Sequence, residues 1–468
     1  MSSTTMPTPA ASHDENLVAG GRRRTELTML LFAIGIVAFA FIEAGYGLFN
    51  TLPATIFEYL LVFIVLVAVA HLAMRRWAPF ADPLLLPLGA LLNGLGLVMM
   101  YRLGQGAGHR IAPSTVGVQL LYSAIGIGCL IAVLALIREP RVLQRYTYTL
   151  GAVGLVLIAT PALLPASISE VSGAKIQIAL GGFTVQPEEF AKLALAVSFA
   201  GYLVVKRDVL ALAGRRALGI DLPRARDLGP IVVAWAVSLL LLVFESDIGT
   251  SAVFMGLFVA MLYIATSRTS WLLIGFLMFV VGAFLASKLF GHVGERFDIW
   301  LHPYTSANLT DHSFQLVQGM EGMGYGGLLG KGLGAGMPYK TPLVQSDFIF
   351  TAFGEEIGLA GVMAILLVYG LIVQRGMRTA ISVKDPFSKL LAGGLSFMLA
   401  LQVFVIVGGV TRLIPLTGIT TPFLSQGGSS LVASWIMIGL LARLSDTARR
   451  PPPRPIQEEG LTQVVTLK

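Results

Sequence analysis

Apolar runs near the length of a membrane-crossing helix recur twelve times along this chain, at about 27–47, 55–74, 83–101, 115–137, 147–165, 187–205, 229–245, 248–266, 270–290, 349–373, 388–410 and 428–444. An α-helix needs ~20 apolar residues to cross a hydrocarbon layer of ~30 Å. Lipid offers the backbone no hydrogen-bond partner, so only helices or closed barrels cross it. Runs this long predict an all-α, polytopic integral membrane helix bundle with about 10–12 transmembrane helices. Composition agrees. Of 468 residues only 13% are charged, against about a quarter in soluble domains, and the mean hydropathy is +0.78. The runs 229–245 and 248–266 meet at "FESDIGTS", too tight for an ordinary loop, which predicts a sharp re-entry surrounded by protein or water.

The basic residues set the orientation. With both termini cytoplasmic, 24 of the 33 lysines and arginines fall on inner segments and 8 on outer ones, while Lys192 lies within a span. That asymmetry follows the positive-inside rule. It also accounts for the net charge of +7 through contact with an anionic inner leaflet, so no nucleic-acid partner is invoked. The segments 1–25 and 446–468 read as disordered cytoplasmic tails, the first rich in Ser, Thr, Pro and Ala and the second carrying "RRPPPRP". "LTMLLFAIGIVAFAFI" follows Arg22–Arg24 as a signal peptide would, but without a convincing cleavage site it reads as a retained first helix. Cys129, the one cysteine, excludes an internal disulfide and a cysteine metal cage. No Walker-type phosphate loop is present, so the chain is not itself an ATPase.

On this topology the polar and glycine-rich material gathers outside: the segment at about 291–348, the stretch from Ala162 to Glu189, and "TRLIPLTGITTPFLSQGGSS". In "TVQPEEFAKLALAV", Pro187 suits a helix start, and Glu188 and Glu189 complement the helix dipole. Lys192 then enters an apolar helix, at a cost of about 3 kcal/mol unless paired or solvated. Glu189 and Lys192 stand at i, i+3 and can pair, either as a structural link or as a cavity-facing substrate-binding pair. Asp247 in "FESDIGTS" reads equally as an N-cap or as a carboxylate orienting Lys192 or a bound cation. Asp347 is expected to cap a helix carrying Glu355 and Glu356, at least one of which must face polar protein or a cavity. In "PLTGITTPFLSQGGSS", Gly427 and Gly428 allow close backbone approach, and Ser429 or Ser430 can cap the last helix. The segment is either a re-entrant turn or, with Arg412, an anion site suited to phosphate.

In this order, "GAK" at 173–175, "QPEEFAK" at 186–192, "SDFIFTAFGEEIGLAG" and "PLTGITTPFLSQGGSS" resemble the SEDS family, the FtsW/RodA-type membrane glycosyltransferases of bacterial wall synthesis. The resemblance covers roughly 85–445, within a transmembrane domain at 26–445, and its pattern looks nearer the RodA of actinobacteria than FtsW. It implies polymerisation of lipid II, the undecaprenyl-diphosphate-linked disaccharide peptide, outside the plasma membrane of a bacterium, in elongation or division. It also implies a class B penicillin-binding transpeptidase as partner, beside membrane lipid. A divalent cation (Mg or Mn) would suit a diphosphate leaving group, although no ligand set announces one. Buried charges between spans also suit a flippase for the lipid-linked precursor, and a catalytically silent scaffold for the transpeptidase is the third reading.

The resemblance further implies a general base in the long outer loop. The family usually reads Arg, then Asp-Pro or Asn-Pro, a further Asp-Pro three residues on, and later Gly-x-Gly-Tyr-Gln. Arg296 and His302-Pro303 align, but the position three after Pro303 is Ser306, and the segment before Phe314-Gln315 is two residues longer. Its acid, Asp311, is the expected catalytic base, since Asp298 lies close to the preceding span and aligns with no family acid. His302 or His312 would assist, because imidazole titrates near neutral pH. Glu189 and Lys192 fall on the family's Glu-x-x-Lys, and Asp247 on its Asp-x-Gly-Thr.

Overall fold

A computed structural model of the chain describes residues 10–105, 112, 115–165, 169, 177–180, 183–210, 213–217, 220–223, 229, 232–233, 236–237, 248–305 and 313–451. The helices are α1 (Ala10–Phe49), α2 (Ala54–Trp77), α3 (Leu85–Gln105), α4 (Thr115–Leu136), α5 (Thr147–Leu163), α6 (Pro187–Leu210), α7 (Ile248–Thr266), α8 (Thr269–Leu289), α9 (Gly291–Leu301), α10 (Phe314–Gly326), α11 (Ile349–Ser382), α12 (Pro386–Val410) and α13 (Gly428–Arg449). Among the described residues ten helices are long and apolar enough to cross a membrane. The expected run at 187–205 is helix α6, which falls outside that ten because Glu188, Glu189 and Lys192 begin it and Lys206 to Asp208 close it. Most of the run at 229–245, with Asp247, lies outside the described residues.

Helices α3, α7, α12 and α13 form the centre of the bundle and are buried on nearly every side. Helix α13 packs along α4, α12 along α7 and α11, and α6 between α5 and α7. Helices α2, α5 and α8 turn rows of Leu, Val and Phe outward, among them Leu61, Val156 and Phe276. This is the arrangement expected where lipid is the solvent. Two short antiparallel ribbons join the helices: β1 (Ile178–Leu180) with β2 (Phe183–Val185), and β3 (Ala213–Ala217) with β4 (Ile220–Pro223).

Three expectations about the segments between and beyond the spans need correction. The described part of the outer segment 291–348 holds two helices, α9 and α10, and a 3₁₀ turn at Pro338–Lys340. Val293 and Phe297 of α9 pack on Ile248 and Ala286, so an apolar stripe pins the helix to the bundle. Helix α1 begins at Ala10, inside the segment read as the 1–25 tail. Helix α13 continues past 445 to Arg449, because ion pairs fasten its last turns. Asp82 lies 2.5 Å from the Arg449 guanidinium, and Asp446 pairs with Arg443 at 3.4 Å and Arg450 at 2.7 Å. Glu26, wholly buried, bonds Arg23 and lies 2.6 Å from His71 Nδ1. Charges taken out of water are tolerable only when paired in this way.

Helix α11 is broken at Gly358, whose φ is +69°. The break frees the carbonyls of Glu355 and Glu356, which accept hydrogen bonds from Lys331 N–H (3.0 Å) and Gly332 N–H (2.9 Å). Leu359 and Ala360 N–H donate in return to Gly327 and Leu328 carbonyls at 2.9 and 3.0 Å. The glycine-rich stretch 327–334 is therefore laced to the kink. A side chain on Gly330 would stand 2.2 Å from the Glu356 carbonyl oxygen, so only glycine permits the approach.

Candidate functional site at the outer end of the bundle

Four helices, α6, α7, α11 and α13, begin at the same end, the one that the basic residues assign to the outside. The segments around their starts are hydrogen-bonded into one structure. Ser429 Oγ accepts from Gln186 N–H at 2.8 Å, joining the start of α13 to that of α6. Gln426 N–H donates to the Gln345 carbonyl (2.7 Å), and Ser425 Oγ donates to Ser346 (2.5 Å) while accepting from Thr421 N–H (2.9 Å), which ties in the start of α11. Gly249 of α7 abuts Thr417 and Ile419 so closely that a side chain there would overlap both. Each helix start carries partial positive charge on unpaired N–H groups, so their convergence creates a region favourable to an anion.

Charged side chains stand at the same end. Lys192 is 1% exposed and its ammonium lies 2.8 Å from Glu189 Oε1, so the expected pair forms inside the bundle. Arg296 of α9 donates to the Leu416 and Thr417 carbonyls, both at 3.3 Å. A side chain at Gly418, where φ is +77°, would stand 3.8 Å from both Arg296 Nη1 and Asp347 Oδ2, so a guanidinium and a carboxylate approach one bare turn of backbone. The N-cap position of α11 is Phe348, one residue beyond Asp347. Helix α13 likewise starts from Gly427 without a side-chain cap, and Ser429 serves Gln186 instead. Gly428 faces the Tyr122 ring, which a side chain there would penetrate.

The remaining predicted residues are Arg412, Asp311, His312, Asp247 and His302. Arg412 donates from Nε to the Trp300 carbonyl (2.8 Å) and from Nη2 to that of Leu301 (2.9 Å), and Trp300 Nε1 returns a bond to the Arg412 carbonyl (3.1 Å). A cation at the C-terminus of α9 complements its dipole, so Arg412 anchors α9. Asp311 and His312 lie outside the described residues, as does Asp247. His302 and Asp298, exposed and 3.2 Å apart, lie at the end of α9, and the described residues stop at Thr305 before resuming at Ser313. Among the described residues no three His, Cys, Asp or Glu side chains are grouped to hold a metal ion.

Sequence reasoning missed Arg102. Its Nε lies 2.5 Å from Glu356 Oε1, and its Nη2 donates to the Gly336 carbonyl at 2.7 Å. Glu356 Oε2 accepts from Gly334 N–H (3.2 Å), and Glu355 Oε1 from Met337 N–H (2.6 Å). The two glutamates thus hold the 331–340 loop. The available signal was an arginine at the end of an apolar run, in need of a carboxylate that "GEEIG" could supply.

Fold and site together define a polytopic membrane protein whose helix starts and charged side chains meet at one end of its helix bundle. The model of the FtsW/RodA/SpoVE family, described as a cell cycle protein, matches residues 82–450, and the chain belongs to that family. It is 46% identical over 449 residues to the peptidoglycan glycosyltransferase RodA of Mycobacterium tuberculosis, covering 95% of both chains. It is 31% identical over 380 residues to stage V sporulation protein E of Bacillus subtilis, covering 79% of this chain and 98% of that one. Among solved structures, a chain from a work titled "Structural coordination of polymerization and crosslinking by a peptidoglycan synthase complex" superposes with a TM-score of 0.63 at 24% identity, over 79% of this chain and 99% of that chain. RodA of Thermus thermophilus superposes with a TM-score of 0.54 at 23% identity, over 80% and 98% of the two chains.

Proposed function

We propose that the chain is a peptidoglycan glycosyltransferase that polymerises lipid II on the outer face of the bacterial plasma membrane, in cell elongation or division. The observation that carries this reading is the hydrogen-bonded linkage of the starts of α6, α11 and α13, with the Glu189–Lys192 pair in the first turns of α6. A diphosphate departing from a sugar develops negative charge, and fixed N–H groups and cations in a dry site stabilise it most where water is excluded. The names of the mycobacterial relatives support the same chemistry.

In the proposed reaction a base takes the proton from the GlcNAc 4-hydroxyl of one lipid-linked disaccharide. The oxygen forms a bond to the MurNAc anomeric carbon of a second, and the bond from that carbon to the diphosphate oxygen breaks with its electron pair. Undecaprenyl diphosphate leaves. Asp311 is the proposed base, and it must come within hydrogen-bond reach of the hydroxyl. Lys192, with Glu189 fixing its ammonium, and the N–H groups at Gly427, Gly428 and Ser429 would face the diphosphate, and Asp247 would stand beside Lys192. A divalent cation would add positive charge at the leaving group. The proposed partner is a class B penicillin-binding transpeptidase, which cross-links the strands.

The test is polymer formation from purified lipid II in detergent, where no membrane side exists and a flippase has nothing to do. A glycan ladder from the wild type that disappears in folded Asp311→Ala supports the reading. An undiminished ladder from Asp311→Ala removes Asp311 from the mechanism, and the absence of polymer from the wild type removes the activity.

A further inference from the structure

Helices α1 and α2 precede residue 82, where the match to the family begins. They are nevertheless built into the bundle. Phe41 of α1 and Tyr59 of α2 meet the edge of Tyr101 at ring-centroid distances of 5.9 and 6.3 Å, one residue from Arg102. At the outer end, α1 reaches the loop that Arg102, Glu355 and Glu356 hold. A Cβ on Gly47 would lie 2.2 Å from the Leu333 carbonyl oxygen and 3.1 Å from Gly334 Cα. From the loop's side, a Cβ on Gly334, where φ is +91°, would lie 2.9 Å from the Gly47 carbonyl carbon. Backbone meets backbone here because neither residue has a side chain.

We propose that the α1–α2 hairpin is a positioning element for the reaction, fixing the 331–340 loop through the Gly47–Gly334 contact. The loop is clamped between two walls. Gly334 touches α1 on one side and donates to Glu356 on the other. The clamp continues toward the site, since the next segment carries Gln345 and Ser346, whose carbonyls bond Gln426 and Ser425. Those residues lead into Gly427 and Ser429, the latter bonded to Gln186, three residues before Glu189. A shift of the loop is therefore carried by hydrogen-bonded backbone to the start of α13. Misplacement of reacting groups by ~1 Å can cost on the order of a hundredfold in rate. The catalytic part of this inference rests on the glycosyltransferase reading.

The test compares the same substitution at two positions of one helix. Alanine is a better helix former than glycine, so both Gly47→Ala and Gly35→Ala stabilise α1 itself. Gly35 has open space around its would-be Cβ, whereas Gly47 has none. In a Cys129→Ser background, a spin label on Ala335→Cys, which is exposed beside the contact, reports the loop position by electron paramagnetic resonance. Gly47→Ala is expected to change the label's spectrum and lower kcat for polymerisation on the order of tenfold per folded molecule, while Gly35→Ala changes neither. A wild-type spectrum in Gly47→Ala, or a changed spectrum with wild-type kcat, overturns the proposal. A wild type that makes no polymer defeats the functional reading instead, and the label alone then decides whether the hairpin holds the loop.

Discussion

Arg102 and Glu356, 254 residues apart in sequence, stand 2.5 Å from one another, and through them the end of α3 is fastened to the start of α11. Both side chains are buried, and the same guanidinium reaches the Gly336 carbonyl. One pair therefore holds two membrane helices and the loop beside the site.

Removing one partner strands the other. Arg102→Ala leaves the Glu356 carboxylate buried and uncompensated, which costs about 3–5 kcal/mol. The unfolding midpoint of the purified protein in detergent is expected to fall sharply. The double variant Arg102→Met with Glu356→Gln, which carries no net buried charge, is expected to recover most of the loss. Equal destabilisation by the single and double variants would show that the ion pair is not the cause.

At the inner end, Asp82 holds Arg449 at 2.5 Å and faces Arg375 at 3.9 Å. Asp82→Asn keeps the shape but removes the charge, so stability is expected to drop by about 1–3 kcal/mol. The polymerisation rate per folded molecule is expected to stay at the wild-type value, because this cluster lies at the opposite end from Lys192. A matching fall in kcat would place the inner cluster within the machinery.

Sidedness gives an independent check. In a Cys129→Ser background, a cysteine at the exposed Thr305 is expected to react with an impermeant maleimide from outside intact cells, and one at the exposed Arg141 only after lysis. The reverse pattern would invert the bundle and place the candidate site in the cytoplasm.

The helix bundle was legible because lipid dictates length and apolarity, and runs such as 349–373 carry that signal without help from their neighbours. The Glu189–Lys192 pair was legible for the same reason, since a lysine in an apolar helix demands an explanation within one turn. What escaped depends on tertiary contact. Nothing local tells that Arg102 meets Glu356, or that Arg412 serves the carbonyls of α9. The helices of the 291–348 segment were missed because they are short and amphipathic, and their apolar stripe shows its purpose only against Ile248 and Ala286. Asp347 and Ser429 looked like caps by residue type, whereas packing directs Asp347 toward Gly418 and Ser429 toward Gln186.

The account stands or falls on whether the outer end of the bundle handles a diphosphate, and Lys192 is a buried cation there. The direct measurement is the glycan yield from lipid II in detergent for the wild type and for Lys192→Met, with folding of both checked by their unfolding midpoints. The wild type is expected to form a ladder of glycan strands, and folded Lys192→Met to lose on the order of a hundredfold in kcat. A Lys192→Met protein that polymerises lipid II as fast as the wild type would contradict the account.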